Sequence, residues 1–241
     1  DEVIRLMGGE WFRPVARNWS SYGSFLDFLR RTGVSTNVVP LVGQGMVRNQ
    51  VMGFSAAEPT PEQVRAMREA VARALDEGAI GMSTGLVYPP GYYTTTEELI
   101  EVARPVRDAG GIYFSHIRGE GTHLLEAVAE AIRIGREVGA PVHLAHFKAK
   151  WPYNWDRSAR ALELVAQARA TGQDVTLDMY PYTACSHWVA DCLPDWAREG
   201  GTERVGARLR DPETRQRILD EIESSDEPEE HERVMLCDAP A

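Results

Sequence analysis

The sequence predicts an α/β chain that forms part of a (β/α)8 TIM-type barrel, with about five of the barrel strands present. Three observations carry that expectation. Short apolar runs alternate with longer amphipathic stretches at intervals of roughly 30 residues, which is the signature of βαβ units and a parallel sheet. The competing architecture, an open sheet that binds a dinucleotide, needs a Gly-x-Gly-x-x-Gly turn between strand and helix. Gly43-Gln44-Gly45 lacks the third, correctly spaced glycine. Finally, two of the apolar runs close on histidine, His116 and His146, at the same end of consecutive strands. In a β/α barrel that end is where chemistry is done.

Taken in order, Asn37 to Val42 reads as a strand. Thr60 caps a helix whose first residue is Pro61 and whose third is Gln63, a capping-box arrangement. That helix is expected to run to Glu77 and stop at Gly78. Ala79 to Ser83 is the next strand, and a Thr-rich loop leads to a helix from about Glu97 to Asp108, stopped by Gly110. Ile112 to His116 is a strand, Leu124 to Val138 a helix stopped by Gly139, and Val142 to His146 a strand. Ser158 to Ala170 is a helix stopped by Gly172, and Asp174 to Tyr180 a strand. Beyond Pro194 the chain turns helical and strongly charged, and Arg233 to Cys237 is a final strand candidate.

Composition bounds the function. The 241 residues are 43% hydrophobic and 26% charged, ordinary values for a soluble globular chain with a sizeable core. A net charge of −10 gives no reason to expect a nucleic-acid partner, since such domains carry basic stripes. No run of about 18 apolar residues is present, so no membrane span is expected. Cys185, Cys192 and Cys237 are irregularly spaced and odd in number, which argues for a reducing compartment and a cytoplasmic location. The chain opens at Asp1 without a signal peptide or initiator Met and closes at Ala241, so both ends read as cut.

Strand alternation places Ile112, Phe114 and His116 on one face, and Val142, Leu144 and His146 on one face of the next strand. Each histidine then continues an inward row and emerges at the barrel mouth. His143 falls on the opposite face and is expected to look toward the helices. His123 suits a capping or surface role, His187 lies on a loop within reach of the mouth, and His231 sits in an acidic stretch. A strand-end histidine alone reads as a core residue satisfied by backbone groups. Two at matching ends read equally well as ligands for zinc. The residues that follow tip the balance toward metal. Arg118 and Glu120 put a cation and a carboxylate on the loop over the mouth, and Arg118 could clamp a substrate carboxylate in a bidentate pair. Lys148 follows His146 by two and points the same way.

Several motifs then occur in a fixed order. They are Gly81-Met82-Ser83-Thr84-Gly85-Leu86-Val87-Tyr88, Thr96-Glu97-Glu98-Leu99, Ser115-His116-Ile117-Arg118-Gly119-Glu120, Ala145-His146-Phe147-Lys148 and Asp178-Met179-Tyr180-Pro181-Tyr182-Thr183-Ala184. Together they resemble the N-acyl-D-amino-acid deacylases (D-aminoacylases) of the amidohydrolase superfamily, from about Phe25 to Leu193. The resemblance implies a zinc-dependent barrel that hydrolyses the amide of small N-acyl-D-amino acids to a carboxylate and a D-amino acid. It implies that His116 and His146 hold the tightly bound zinc (Zn2+). It also places Tyr88, Arg118, Lys148, Tyr180 and Ser186 among residues that contact substrate or line the mouth. Zinc lowers the pKa of its water and polarises the carbonyl, while a carboxylate moves the proton.

The sequence departs from that family in three places. It has no His-x-His, no Asn-Cys-Gly with a zinc-ligating cysteine, and no late-strand Asp in the role of general base. Asp238 is the nearest substitute, but Leu236-Cys237-Asp238-Ala239 more closely resembles an inserted segment. Residues 1–241 are therefore expected to be one catalytic barrel domain truncated at both ends, with 194–241 an insertion before the last barrel strand. The general-base Asp is expected beyond the C-terminal end, and the chain alone is expected to be inactive. No lysine lies on the Ala79 to Ser83 strand, which disfavours a carboxylated-lysine bridge between two metals. The rival readings are an amidohydrolase acting on a cyclic amide or urea C–N bond, and a catalytically dead barrel segment. A phosphate-handling barrel would need a glycine-rich loop near the last strands, and none is visible.

Overall fold

A computed structural model describes residues 19–184 and 189–224. Two compact units are present, one ending at Pro181 and the other beginning at Tyr182. The first holds the sheet. In order it comprises α1 (Tyr22–Thr32), β1 (Val42–Gly43), α2 (Gln44–Met52), α3 (Pro61–Asp76) and β2 (Gly81–Gly85). It continues with α4 (Thr96–Asp108), β3 (Ile112–His116), α5 (Leu124–Val138), β4 (Val142–Leu144), α6 (Arg157–Ala170) and β5 (Val175–Leu177). All strand pairs are parallel, and among the described residues the sheet order is β1-β2-β3-β4-β5. Strand order equal to chain order is the arrangement of one arc of a β/α barrel.

Local chemistry sets the element ends. Thr60 and Gln63 exchange side-chain and backbone hydrogen bonds at the start of α3, so the expected capping box forms there, with Pro61 at the first helical position. The α5 helix ends on Gly139, whose φ of 79° is the left-handed conformation that glycine adopts without cost. The first strand differs from expectation. Only Val42–Gly43 pairs as a strand, while Val38 and Val39 are 48% and 65% exposed. Proline at position 40 has no N–H to donate, though its carbonyl still accepts from Ile80. The helix that follows, α2, was not anticipated. It carries Arg48, which is fully buried and bonded to Glu98 of α4 at 3.1 Å and to the carbonyls of Ser55 and Ala57.

One face of the sheet packs under the helices. Met82, Tyr113, Val142, Leu144 and Val175 are fully buried there against Met67 and Val71 of α3, Leu99 and Val102 of α4, and Val128 and Ile134 of α5. A fixed close approach holds α5 to β4. A Cβ at Gly135 would fall 1.9 Å from Val142 Cγ2. Within the sheet, Thr84, Tyr113 and Ser115 form a buried hydroxyl cluster, with Thr84 Oγ1 at 3.1 Å from Tyr113 Oη and 2.9 Å from Ser115 Oγ. Burial pushes the Tyr113 hydroxyl up to about 12, against the lowering pull of its two hydroxyl partners.

The second unit, among its described residues, contains α7 (Asp195–Arg198), α8 (Gly201–Arg210) and α9 (Pro212–Glu223). Trp196 donates from its ring nitrogen to Glu221 at 2.8 Å, and Arg217 lies over the same ring. The expected strand from Arg233 to Cys237, His187, His231 and Asp238 fall outside the described residues. No described helix is long and apolar enough to cross a membrane.

Candidate metal centre

Strand β3 delivers the first histidine as its alternation requires. Tyr113 and Ser115 are fully buried on the helix side, so Phe114 and His116 project from the other face. The chain then tucks Ile117 into the core and turns Glu120 inward, leaving it 4% exposed. The carbonyl of Glu120 accepts from Lys150 N–H at 2.7 Å, which ties this loop to the one after β4.

The second histidine arrives by a different route from the one the alternation pattern suggested. In β4 the side chains of Val142 and Leu144 are fully buried under the helices, so they cannot share a face with a mouth residue. His143 is the residue of β4 that shares the face of Phe114 and His116. It pairs in register with Phe114 and stacks on its ring at a centroid separation of 4.6 Å. The expectation that His143 looks toward the helices is therefore corrected. The strand ends at Leu144, and His146 lies in a turn with φ of 38°. A positive φ on a non-glycine residue costs on the order of 1–3 kcal/mol and persists only where neighbours enforce it. Here it brings the imidazole beside that of His116, ring centroids 4.4 Å apart.

Glu120 lies between the two rings. Its Oε1 is 3.0 Å from His146 Nδ1, 3.8 Å from His116 Nε2 and 2.5 Å from Lys148 Nζ. Burial pushes its carboxyl up, but the His146 hydrogen bond and the charges of His116 and Lys148 outweigh that and hold it down at about 2. Glu120 is therefore a carboxylate at any ordinary pH. One ligand atom from each of His116, Glu120 and His146 lies within 4.8 Å of the others. Two imidazoles and an ionised carboxylate are a donor set that suits zinc. The ammonium of Lys148 is stationed against these donors, 3.1 Å from both His146 Nδ1 and the His146 carbonyl, so the cluster already faces positive charge.

The other expected residues divide. Tyr88 meets the His116 ring edge-on at 5.2 Å, and Tyr180 lies 6.4 Å from the His146 ring with Lys148 above it at 5.3 Å. Arg118 is engaged elsewhere. Its guanidinium grips Glu130 of α5 through Nε and Nη2, and donates to the carbonyls of Tyr92 and Thr94. A carboxylate supplied by a helix twelve positions on fills the fork that the sequence reading reserved for substrate. His123 precedes α5 but makes no side-chain capping bond and is exposed. Ser186 lies outside the described residues. Two residues stand in the site without having been singled out as ligands or supports, Glu120 and Asp178. The first follows His116 by four positions, a spacing that brings a carboxylate back over a strand end. The second was visible only as part of a motif.

Comparison with models of known protein families gives no match. Individual relatives do match. D-aminoacylase from Alcaligenes xylosoxydans xylosoxydans is 44% identical over 165 residues, covering 68% of this chain and 34% of the relative. A crystal structure of D-aminoacylase, described as defining a novel subset of amidohydrolases, superimposes with a TM-score of 0.65 at 41% identity, covering 68% of this chain and 34% of that one. N-acyl-D-glutamate deacylase from Bordetella bronchiseptica, complexed with zinc and a phosphonate mimic of the tetrahedral intermediate, gives 0.66 at 35% identity, covering 68% and 35%. The chain thus spans about a third of the length of these relatives. Over the residues matched, sequence and fold agree that the chain is homologous to part of the N-acyl-D-amino-acid deacylases (D-aminoacylases).

Proposed function

We propose that this chain supplies the zinc-holding wall of a hydrolase that cleaves the amide of N-acyl-D-amino acids. The observation that carries the reading is the convergence of His116, Glu120 and His146 at the C-terminal ends of β3 and β4, in a chain whose relatives are deacylases. His116 and His146 would hold the metal as neutral imidazoles, with Glu120 as the charged member of the set. Zinc bound there would supply an activated water and polarise the scissile carbonyl.

The chain's own side chains do the rest of the positioning. Lys148 places a cation beside the cluster, suited to the carboxylate that every N-acyl amino acid carries. Tyr88 and Tyr180 flank the two imidazoles and wall the site on either side. Arg118, locked to Glu130, holds α5 against the loop between β2 and α4. Glu120 and Asp178 both use their oxygens to hold histidines, so the general base is assigned to neither.

Zinc stoichiometry of the purified chain, with His116→Ala and His146→Ala as controls, tests the metal reading. One zinc per chain, lost in both variants, is the expected result. Hydrolysis of N-acetyl-D-amino acids over their L-isomers by the protein that carries this chain tests the substrate reading. Zinc retained in either variant would place the metal elsewhere and sink the proposal.

A further inference from the structure

The strained backbone at His146 has a definable cause in the neighbouring strand. The pairs Val142↔Val175 and Leu144↔Leu177 set the β4–β5 ladder, with Val142 N–H on the Asp174 carbonyl and Asp178 N–H on the Leu144 carbonyl. Regular parallel pairing would next send the N–H of residue 146 to the Asp178 carbonyl. That acceptor is taken instead by Phe147 N–H at 2.8 Å. One extra residue has been inserted, as in a bulge, which re-aims the side chain at that point. The displaced His146 N–H is caught by Asp178 Oδ1. The second carboxylate oxygen, Oδ2, lies 3.1 Å from His143 Nε2. The other ring nitrogen of His143 is 2.8 Å from Thr176 Oγ1, and the ring is stacked on Phe114. The Asp178 carboxylate thus holds the His146 amide with one oxygen and faces the His143 ring with the other, and residues 144, 146 and 147 are all bonded to Asp178.

The geometry points to Asp178, oriented by His143, as the positioning residue that holds His146 in its metal-ligating pose. It does so through the His146 backbone. Without the carboxylate, the extra residue has no acceptor for its N–H, and the turn relaxes toward ordinary strand backbone, withdrawing the imidazole from His116 and Glu120. His143 is a support rather than a ligand, because Nδ1 is paired with Thr176 Oγ1 and Nε2 lies against the Asp178 carboxylate. This inference rests on the zinc reading above.

Zinc affinity measured by chelator competition on the whole chain, for wild type, Asp178→Asn and Asp178→Ala, tests it together with the position of the His146 amide in the 1H–15N spectrum of the zinc-free chain. Supports of metal ligands typically carry about a 10- to 100-fold effect on affinity. We expect Asp178→Ala to weaken zinc by that factor and to shift the His146 amide proton upfield. Asp178→Asn keeps an oxygen able to accept the same N–H and should restore affinity to within about threefold of wild type, an outcome that a metal-ligating Asp178 would not allow. Circular dichroism establishes that the variants are folded. An Asp178→Ala variant with wild-type zinc affinity, or an unmoved His146 amide, overturns the bracket while leaving the zinc reading intact. A wild-type chain that binds no zinc overturns the zinc reading and, with it, the purpose assigned to the bracket.

Discussion

Replacing Arg48 by methionine removes the cation from the most deeply buried ion pair in the described chain. Arg48 and Glu98 have side-chain exposures of 0% and 3%, and their contact is 3.1 Å. Three groups lose a donor: the Glu98 carboxylate and the carbonyls of Ser55 and Ala57. The two carbonyls lie on a partly exposed loop, so water can replace the guanidinium there. The carboxylate is enclosed, and stranding a buried charge costs about 3–5 kcal/mol. At about 2–4 °C per kcal/mol for a chain of this size, the thermal midpoint should fall by about 6–20 °C. The pH dependence carries the sign. Burial already holds the Glu98 carboxyl above the usual range, with Arg48 opposing it. Removing Arg48 leaves burial unopposed, so the variant's deficit should shrink as pH falls and Glu98 takes up a proton. It should be fullest near neutrality. Replacing Glu98 by leucine in the same chain should recover part of the loss. Calorimetry of the single and double variants at pH 5 and pH 7 is the assay. A drop of under about 3 °C in the single variant, or a deficit that grows toward acid, would refute the reasoning.

Three further outcomes follow from other parts of the molecule. Lys148→Met should tighten zinc binding several-fold, because Glu120 and His146 then face the metal without a competing ammonium; weaker binding in a competition titration would contradict it. Tyr113 is fully buried with its hydroxyl pushed up to about 12. Its contribution is intact below pH about 10 and is lost as pH rises toward about 12, amounting to about 3 kcal/mol, so Tyr113→Phe should flatten the alkaline limb of a stability–pH curve. Gly135→Ala should destabilise by about 1–3 kcal/mol, read from a denaturant midpoint, because its Cβ has no room beside Val142.

Much of the fold is legible along the chain because it is written locally. The capping box at Thr60 and Gln63 and the glycine that ends α5 need no tertiary information, and both appear where the pattern puts them. The alternation of Ile112 to His116 likewise yields the correct face. The reading fails where a distant partner decides. Alternation in Val142 to His146 assigns His143 to the wrong face, and His146 reaches the mouth by a route it does not foresee, because the strand stops at Leu144 and the side chain of Asp178, just after β5, rebuilds the turn. The Arg118 fork looks vacant in sequence only because Glu130 is brought to it by the packing of α5. Glu120 is legible in sequence as a carboxylate over the mouth, but its place in the donor set shows only once burial and the two rings around it are seen.

The residue inserted just after β4 also orders events in time. His116 and Glu120 sit on one strand and its following loop, and can be placed as soon as β3 docks. The pose of His146 is dictated by a carboxylate 32 positions later, across the α6 crossover. Parallel pairing of this kind closes late, since loop entropy must be lost before the contact forms. A folding chain therefore presents two thirds of its donor set early and completes the third only when β5 arrives. High-affinity capture of the metal is in this way a report that the β4–β5 seam has closed.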